Sequence, residues 1–544
     1  MPHVPLHLAV DDPAVVAGLA LIRQQQHVPG PFAPEVEEEA AGAATRVLSG
    51  LDGDGRRDAR DVELVTIDPV GSRDLDQALH IARRAGRGWR VLYAIADVAA
   101  FVAPTGALDA SCWDRGLTFY LPDGRAPLHP PSLSEGRASL LPGEDRPAVL
   151  WCIDLDADGS VVASGVERAV VRSRAQLDYA GVQAQIDAGT ALESLMLLKE
   201  VGEARQRQEV ARGGVSLDLP TQRVEADGGG YRIEFETTIP AMGWNAQVSL
   251  LAGMVAAERM ADAQVGLLRT MPPAAPWVLD KVRRTARALR VDWPDGAAYA
   301  EVVRNLRSDV PDEAALLALA ARGLRGAGYL ALPPTPAEAA EPAGSAEPPL
   351  PPPPSGRANR PPQQAERGRP AGAAKPSAPG RRSAGGVSSE AAGVGEARRG
   401  PAAIVMEHAA VAARYAHVTA PLRRLGDRYA AEACLAIEAG ERPPDWVTAA
   451  LPELPAALQR AGGRESGANR AALDLVEALV LRPLVGRQLK VAVVAADDEG
   501  STVVCRDPAV ETRIVGTKLP LGDELTVRVV AADPIERKVV LEPS

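Results

Sequence analysis

Between Pro333 and Arg399 the chain has almost nothing with which to build a core. Pro, Ala, Gly, Ser and Arg dominate, and Pro351 to Pro354 stand in a row. No helical or strand period survives, and few apolar side chains are available to offset the entropy of ordering, so the stretch is expected to be disordered. Its second half is basic, with Arg357, Arg360, Arg367, Arg369, Lys375, Arg381, Arg382, Arg398 and Arg399. Whatever folds must be assembled from the sequence on either side. A long loop costs little to close, about 0.6 kcal/mol per doubling of length, so such a tether can interrupt a single domain.

The 544 residues leave room for two or three domains and a large core, and 46% of them are apolar. The net charge of −11 argues mildly against a polyanionic partner without excluding one, because a basic channel can sit in an acidic protein. Cys112, Cys152, Cys434 and Cys505 lie far apart and form no CxxC pair, which points to reduced thiols rather than a disulfide frame or a zinc site. Met1 to Gln26 shows no basic start followed by an apolar run, and no segment reaches about 18 uninterrupted apolar residues. A soluble, cytoplasmic protein is expected, a monomer with no membrane partner.

Residues 1–60 read as a mostly helical extension, with helical spacing over Ala14 to Gln25 and an Ala/Glu-rich helix candidate over Pro34 to Leu51. From 61 to about 180 the pattern turns to strands. Trp89 to Val98 is a strong strand closed by Asp97, which is expected to cap the following turn. Asp158-Gly159 marks a hairpin turn inside the alternating stretch 148–172. Residues 176–212, 275–331 and 428–486 read as helical, and Ser249 to Met260 as an apolar core helix preceded by Asn245 and Gln247. Arg269 could hold a phosphate, although a pairing with an acid is as good a reading. From Leu489 onward, short alternating strands and turn-rich gaps suggest a small β-barrel.

One stretch carries chemistry, Val62 to Leu79. A short strand pattern leads into Asp68, Asp74 and Asp76, all within nine residues. In extended chain, residues two apart point to one face, so Asp74 and Asp76 are expected to converge. Pro69 and Gly71 allow a turn that folds Asp68 back onto them. A hard divalent cation such as Mg²⁺ relieves the repulsion of three carboxylates, and carboxylate-held Mg²⁺ commonly serves phosphoryl chemistry.

At these residues the chain resembles the RNB family, the catalytic domain of the RNase II and RNase R exoribonucleases. The match is Asp68, Asp74 and Asp76; Gln77 stands where the family carries a fourth Asp, and its amide oxygen could still serve the metal. Leu117 to Asp123 and Ser139 to Gly143 resemble the Tyr-Leu-Pro and Ser-Leu-x-Pro segments of the family. Tyr120 then corresponds to the aromatic that stacks near the end of bound RNA. Beyond the tether, Tyr415 to Asp427 resembles the second half of the signature through His417, Thr419, Pro421, Arg423, Arg424 and Asp427. That places the tether inside one domain, with its basic half a candidate RNA-holding arm. Asn469-Arg470 stands where relatives have Glu-Arg, so nothing is carried over there.

The resemblance implies an α+β fold: an RNB catalytic domain over 61–486, a mixed sheet with packed helices interrupted at about 333–400, followed by a small OB-type β-barrel over 487–544. It implies a 3′→5′ exoribonuclease that hydrolyses single-stranded RNA to nucleoside 5′-monophosphates, a short form without the two RNA-binding barrels that often precede the domain. The expected metal set is Asp68, Asp74, Asp76 and Gln77, around Mg²⁺ or Mn²⁺. Asp74, Asp76 and Arg423 are the expected catalytic residues, and Tyr120, Arg423 and Arg424 the expected RNA contacts. His417 is expected to be structural. The rival expectation is a catalytically weakened RNA-binding protein on the same scaffold, motivated by Gln77 and Asn469.

Overall fold

The computed structural model describes residues 13–333 and 406–544, apart from 54, 216–220, 228–229, 237, 295, 308–309 and 322. The expected tether beyond position 333 and its basic half lie outside the described residues.

Two helices come first, α1 (Pro13–Gln25) and α2 (Pro34–Ser49), close to where the periodicity puts them. Pro34 opens α2, where its missing N–H costs nothing, and Glu35 and Glu37 face the positive end of the helix dipole. Val36, Ala40 and Ala44, one turn apart, form its buried stripe. Four strands follow: β1 (Arg57–Ala59), β2 (Val65–Asp68), β3 (Gln77–Arg83) and β4 (Trp89–Ala96). Next come α3 (Ala107–Arg115) and a small hairpin of β5 (Phe119–Leu121) and β6 (Gly124–Ala126). The long strands β7 (Asp145–Leu155) and β8 (Val161–Arg172) and the short β9 (Ala175–Asp178) complete the strand-rich part.

Seven of these strands form one mixed sheet in the order β1-β8-β7-β4-β3-β2-β9. Only the outer pairs β1–β8 and β2–β9 are parallel. β7 lies inside the sheet between β8 and β4, and its alternate residues divide between two cores. Val149, Trp151 and Ile153 join one cluster, whereas Ala148 and Leu150 join the other. A strand covered on both faces must be apolar at almost every position, as Ala148 to Ile153 is.

One face is covered by α4 (Tyr179–Asp187), α5 (Glu193–Arg212) and α6 (Pro240–Ala263), with a two-stranded excursion, β10 (Thr221–Asp227) and β11 (Gly230–Glu236), before α6. The segment expected to be mostly helical contains α7 (Pro276–Ala288), α8 (Tyr299–Arg304) and α9 (Pro311–Ala321). It is framed, however, by a strand pair missed from the sequence: β12 (Gly266–Thr270) runs antiparallel to β13 (Gly328–Leu332). β12 also bonds the chain beyond the tether, through Arg269 N–H to the Tyr415 carbonyl (2.8 Å) and Met271 N–H to the Glu407 carbonyl (3.1 Å). The sequences on both sides of the tether therefore meet on one strand.

After that crossing come α10 (Leu425–Glu438), α11 (Asp445–Ala450) and the long α12 (Leu454–Leu481). α2, α3 and α11 cover the second face of the sheet, together with the first turns of α10 and α12. The last five strands, β14 (Gln488–Asp497), β15 (Gly500–Arg506), β16 (Ala509–Val515), β17 (Glu524–Asp533) and β18 (Lys538–Pro543), form an antiparallel sheet in the order β16-β15-β14-β17-β18. Register shifts near Val493 and Val529 bend the long strands. The edge strands β16 and β18 approach each other, so the barrel is nearly closed. It packs on α1 and α12. Among the described residues no helix is long and apolar enough to cross a membrane.

Candidate active site

The carboxylates sit where β2 ends and β3 begins. Asp68 closes β2, and the chain turns through Pro69 to Ser72, with Ser72 N–H on the Pro69 carbonyl (3.1 Å). Gly71 takes φ +84°, a left-handed conformation that favours glycine. Leu75 is then held extended. Its N–H donates to the Ser139 hydroxyl (2.9 Å), and its carbonyl accepts from Leu140 N–H (3.0 Å). The Ser139 hydroxyl donates in turn to the Arg73 carbonyl (2.7 Å). With the Leu75 side chain fully buried, alternation sends Asp74 and Asp76 to the opposite side.

The second wall is the segment from Ala416 to Arg424. It is laced to the residues before β5, through Thr118 N–H to the Arg423 carbonyl (3.0 Å) and Leu425 N–H to the Gly116 carbonyl (3.0 Å). This brings Arg423 Nε to 3.5 Å from the Asp76 carboxylate, which also accepts from Leu422 N–H at 2.8 Å. Burial pushes Asp76 well above the usual carboxylate range, against the pull of Arg423 and the Leu422 N–H. Asp68 has no hydrogen-bond partner among the described residues. Burial pushes it up to about 7, with Arg423 opposing and Asp74 adding to the rise. Burial works against the charge on Arg423, yet Asp76, Tyr120 and Asp74 hold its pKa above the ordinary value.

Asp74 is differently placed. It accepts from the Tyr120 hydroxyl (3.0 Å) and from Arg125 Nη1 (2.7 Å). Arg125 reaches Glu135 with its other nitrogen (2.8 Å). Tyr120 and Arg125 are cross-strand partners in the β5–β6 hairpin, so their side chains share a face and both reach Asp74. Burial and the neighbouring Asp74 push the Tyr120 phenol up, which keeps it a proton donor. The sequence reading missed Arg125. The Pro122-Asp123-Gly124 turn was the available signal, because a hairpin there pairs Tyr120 with Arg125.

Three expected roles need correction. Gln77 is not aimed at the carboxylates. Its amide nitrogen donates to the Thr419 carbonyl (2.6 Å) and its oxygen accepts from the Tyr93 hydroxyl (2.5 Å), so it ties β3 to the second wall. Arg424, expected as an RNA contact, is engaged bidentately by Asp427 (3.0 and 2.8 Å) at the start of α10. Asp97 caps nothing through its side chain. It is buried and accepts from Arg56 (2.7 Å) and Arg168 (2.6 Å). His417, expected to be structural, is buried with Nδ1 2.8 Å from the Tyr329 hydroxyl, and burial holds it well below its ordinary pKa, hence neutral. Arg269 stacks over the Tyr329 ring at 4.6 Å and pairs with no acid among the described residues.

Asp76 is buried, Asp68 is half-buried, and Arg423 stands against them, so the carboxylates are a donor set that suits a hard cation in kind. As positioned, no three His, Cys, Asp or Glu side chains among the described residues lie close enough to hold one together, because Arg125 and Tyr120 engage Asp74. What the site presents is the Arg423 side chain, one-third exposed, among three acids.

Comparison with known proteins gives two family matches: the RNB domain over residues 56–436, and the RNase II-type exonuclease C-terminal S1 domain over residues 487–544. Ribonuclease R of Escherichia coli is 29% identical over 310 residues, covering 54% of this chain and 38% of that protein. A protein of Arabidopsis thaliana described as inactive exonuclease DIS3L2 is 33% identical over 242 residues, covering 40% of this chain and 23% of its own length. The chain thus spans well under half of the curated relatives it matches. Among solved structures, Mycoplasma genitalium RNase R in complex with ribose-methylated single-stranded RNA superimposes with a TM-score of 0.76 at 17% identity, covering 98% of this chain and 78% of that one.

Proposed function

The chain belongs to the RNB domain family, and from that premise we propose that it is a 3′→5′ exoribonuclease, hydrolysing single-stranded RNA to nucleoside 5′-monophosphates at the site of Asp68, Asp74, Asp76 and Arg423. The observation that carries this reading is Arg423 held 3.5 Å from the buried Asp76, with the unpartnered Asp68 beside them. A guanidinium aimed by a carboxylate offers planar donors to a phosphate and stabilises charge that develops on it as the ester breaks. Arg423 keeps a third of its side chain exposed, so its free donors can meet a phosphate without breaking the pair to Asp76.

Mg²⁺ or Mn²⁺ would supply Lewis acidity and an activated water here, and Asp68, Asp74 and Asp76 are the residues that would hold it. Asp68 is suited to that work because its carboxylate has no hydrogen-bond partner among the described residues. Arg125 and Tyr120, which engage Asp74, compete with such an ion for it, and the Tyr120 ring would meet the terminal nucleotide, where stacking needs no particular base. Gln77 and Arg424 keep the two walls in register and contact no RNA.

A second reading is favoured by the pairing of Asp74 with Arg125 and by the relative described as inactive: an RNA-binding protein on the same scaffold that does not cleave. A 5′-labelled single-stranded RNA incubated with Mg²⁺ separates the two. A ladder that shortens from the 3′ end, and vanishes with Asp76→Asn, supports the nuclease. Intact RNA bound equally by both proteins would establish the binding protein.

A further inference from the structure

We infer that the exposed basic face of α7 is a docking surface for the sugar-phosphate backbone of single-stranded RNA. This rests on the exoribonuclease reading and gives it a place to hold substrate away from the site of cleavage. Between Pro276 and Arg290 the chain carries five basic residues and one acid, in a protein whose net charge is −11. Val282, Ala286 and Leu289 turn inward and pack with Ala315, Leu316 and Leu319 of α9. Trp277, Lys281, Arg283, Arg284, Arg287 and Arg290 are left outward and exposed.

The charges on that face are largely unspent. Lys281, Arg284, Arg287 and Arg290 make no ion pair among the described residues, whereas Arg283 has a weak one to Asp280 at 3.7 Å. Trp277, Lys281 and Arg284 stand at one-turn spacings and form a single stripe. Trp277 is 59% exposed, the most exposed tryptophan among the described residues. An indole beside a row of cations matches an unpaired strand, whose bases offer flat faces and whose backbone offers regular negative charge. A lipid surface is the poorer match, because a helix lying in lipid needs its apolar face free and that of α7 is buried. α7 also follows β12, whose Arg269 N–H holds the Tyr415 carbonyl at the start of the segment that carries Arg423. The face is thus joined through β12 to the segment that carries Arg423.

Each phosphate contact with a single strand contributes about 0.7 to the slope of log affinity against log salt. The combined variant Lys281→Gln, Arg284→Gln, Arg287→Gln and Arg290→Gln removes four charges that make no ion pair among the described residues, and keeps good helix formers at the three positions inside α7. Binding of a fluorescent long oligoadenylate is read by anisotropy across a salt series in EDTA, where no cleavage proceeds. Hydrolysis of a trinucleotide, the shorter substrate, is followed separately with Mg²⁺. The expected result is a salt slope lowered by about 3 and affinity for the long RNA weakened at least about tenfold at low salt, with trinucleotide hydrolysis unchanged. Trp277→Ala should weaken the long RNA alone and leave the slope in place. Unchanged affinity and slope would overturn the proposal. So would equal losses on both substrates, or lost binding to anionic vesicles with RNA binding retained. If the unaltered protein binds RNA and cleaves neither substrate, the nuclease reading fails, and the anisotropy data alone still decide the docking face.

Discussion

Replacing Gly253 by alanine sets two physical effects against each other. Gly253 lies buried inside α6, where alanine ordinarily gains about 1 kcal/mol through helix propensity. A Cβ at this position, however, would stand 2.2 Å from the Tyr415 ring and 2.6 Å from the Ala416 carbonyl oxygen. Neither neighbour can yield alone. Ala416 N–H donates to the Gly253 carbonyl at 3.0 Å, and the Tyr415 carbonyl accepts from Arg269 N–H at 2.8 Å. Overpacking of this kind costs about 1–3 kcal/mol, and contact with backbone puts the cost at the upper end, so the net loss is about 1–2 kcal/mol. In a chain of this length a loss of that size lowers Tm by roughly 1 °C per kcal/mol. Because Tyr415 and Ala416 begin the wall that carries Arg423, RNA cleavage should fall more than stability does. Gly462 in the middle of α12 is the control. A Cβ there meets nothing within 4 Å, so alanine should stabilise by up to about 1 kcal/mol. Urea titrations of the two variants beside the parent protein give the comparison. A Gly253→Ala protein as stable as its parent would refute the argument that close approach, rather than helix propensity, decides this position.

Other substitutions test separate links. Asp97→Asn strands Arg56 and Arg168 beside a neutral amide and should cost about 3–5 kcal/mol at neutral pH. Burial pushes Asp97 up, but Arg168 and Arg56 hold it below its ordinary value. Its contribution is therefore complete above the ordinary carboxylate range and disappears as the pH falls through the lowered pKa, so denaturation curves of parent and variant should converge in acid. Gln77→Asp should not strengthen the site, because a carboxylate there faces the Thr419 carbonyl with no proton to give. A loss of about 1–3 kcal/mol is expected, and a gain in cleavage would contradict the orientation of Gln77. Arg423→Ala should lower the single-turnover cleavage rate by about 10²–10³-fold while RNA binding changes little, which a rapid-quench assay resolves.

The sequence by itself determined what depends on neighbours. Helical periods located α1 and α2, alternation located β4 and the β7–β8 hairpin, and short strands at regular spacing announced the terminal barrel, because each pattern is written within a few residues. The spacing of the acids named Asp68, Asp74 and Asp76 between β2 and β3, and the resemblance to the RNB family named the arginine that meets them. Tertiary structure decided the partners. Arg125 reaches Asp74 through a hairpin register, Gln77 turns to Tyr93 and Thr419, and β12 pairs with β13 around three intervening helices. Asp97, which reads as a turn cap, instead joins Arg56 and Arg168 across two strands of the sheet. The reason is the same in each case. A side chain's direction follows from its own strand or helix, but what it meets depends on which distant segment packs opposite, and that is settled by burial of the whole core.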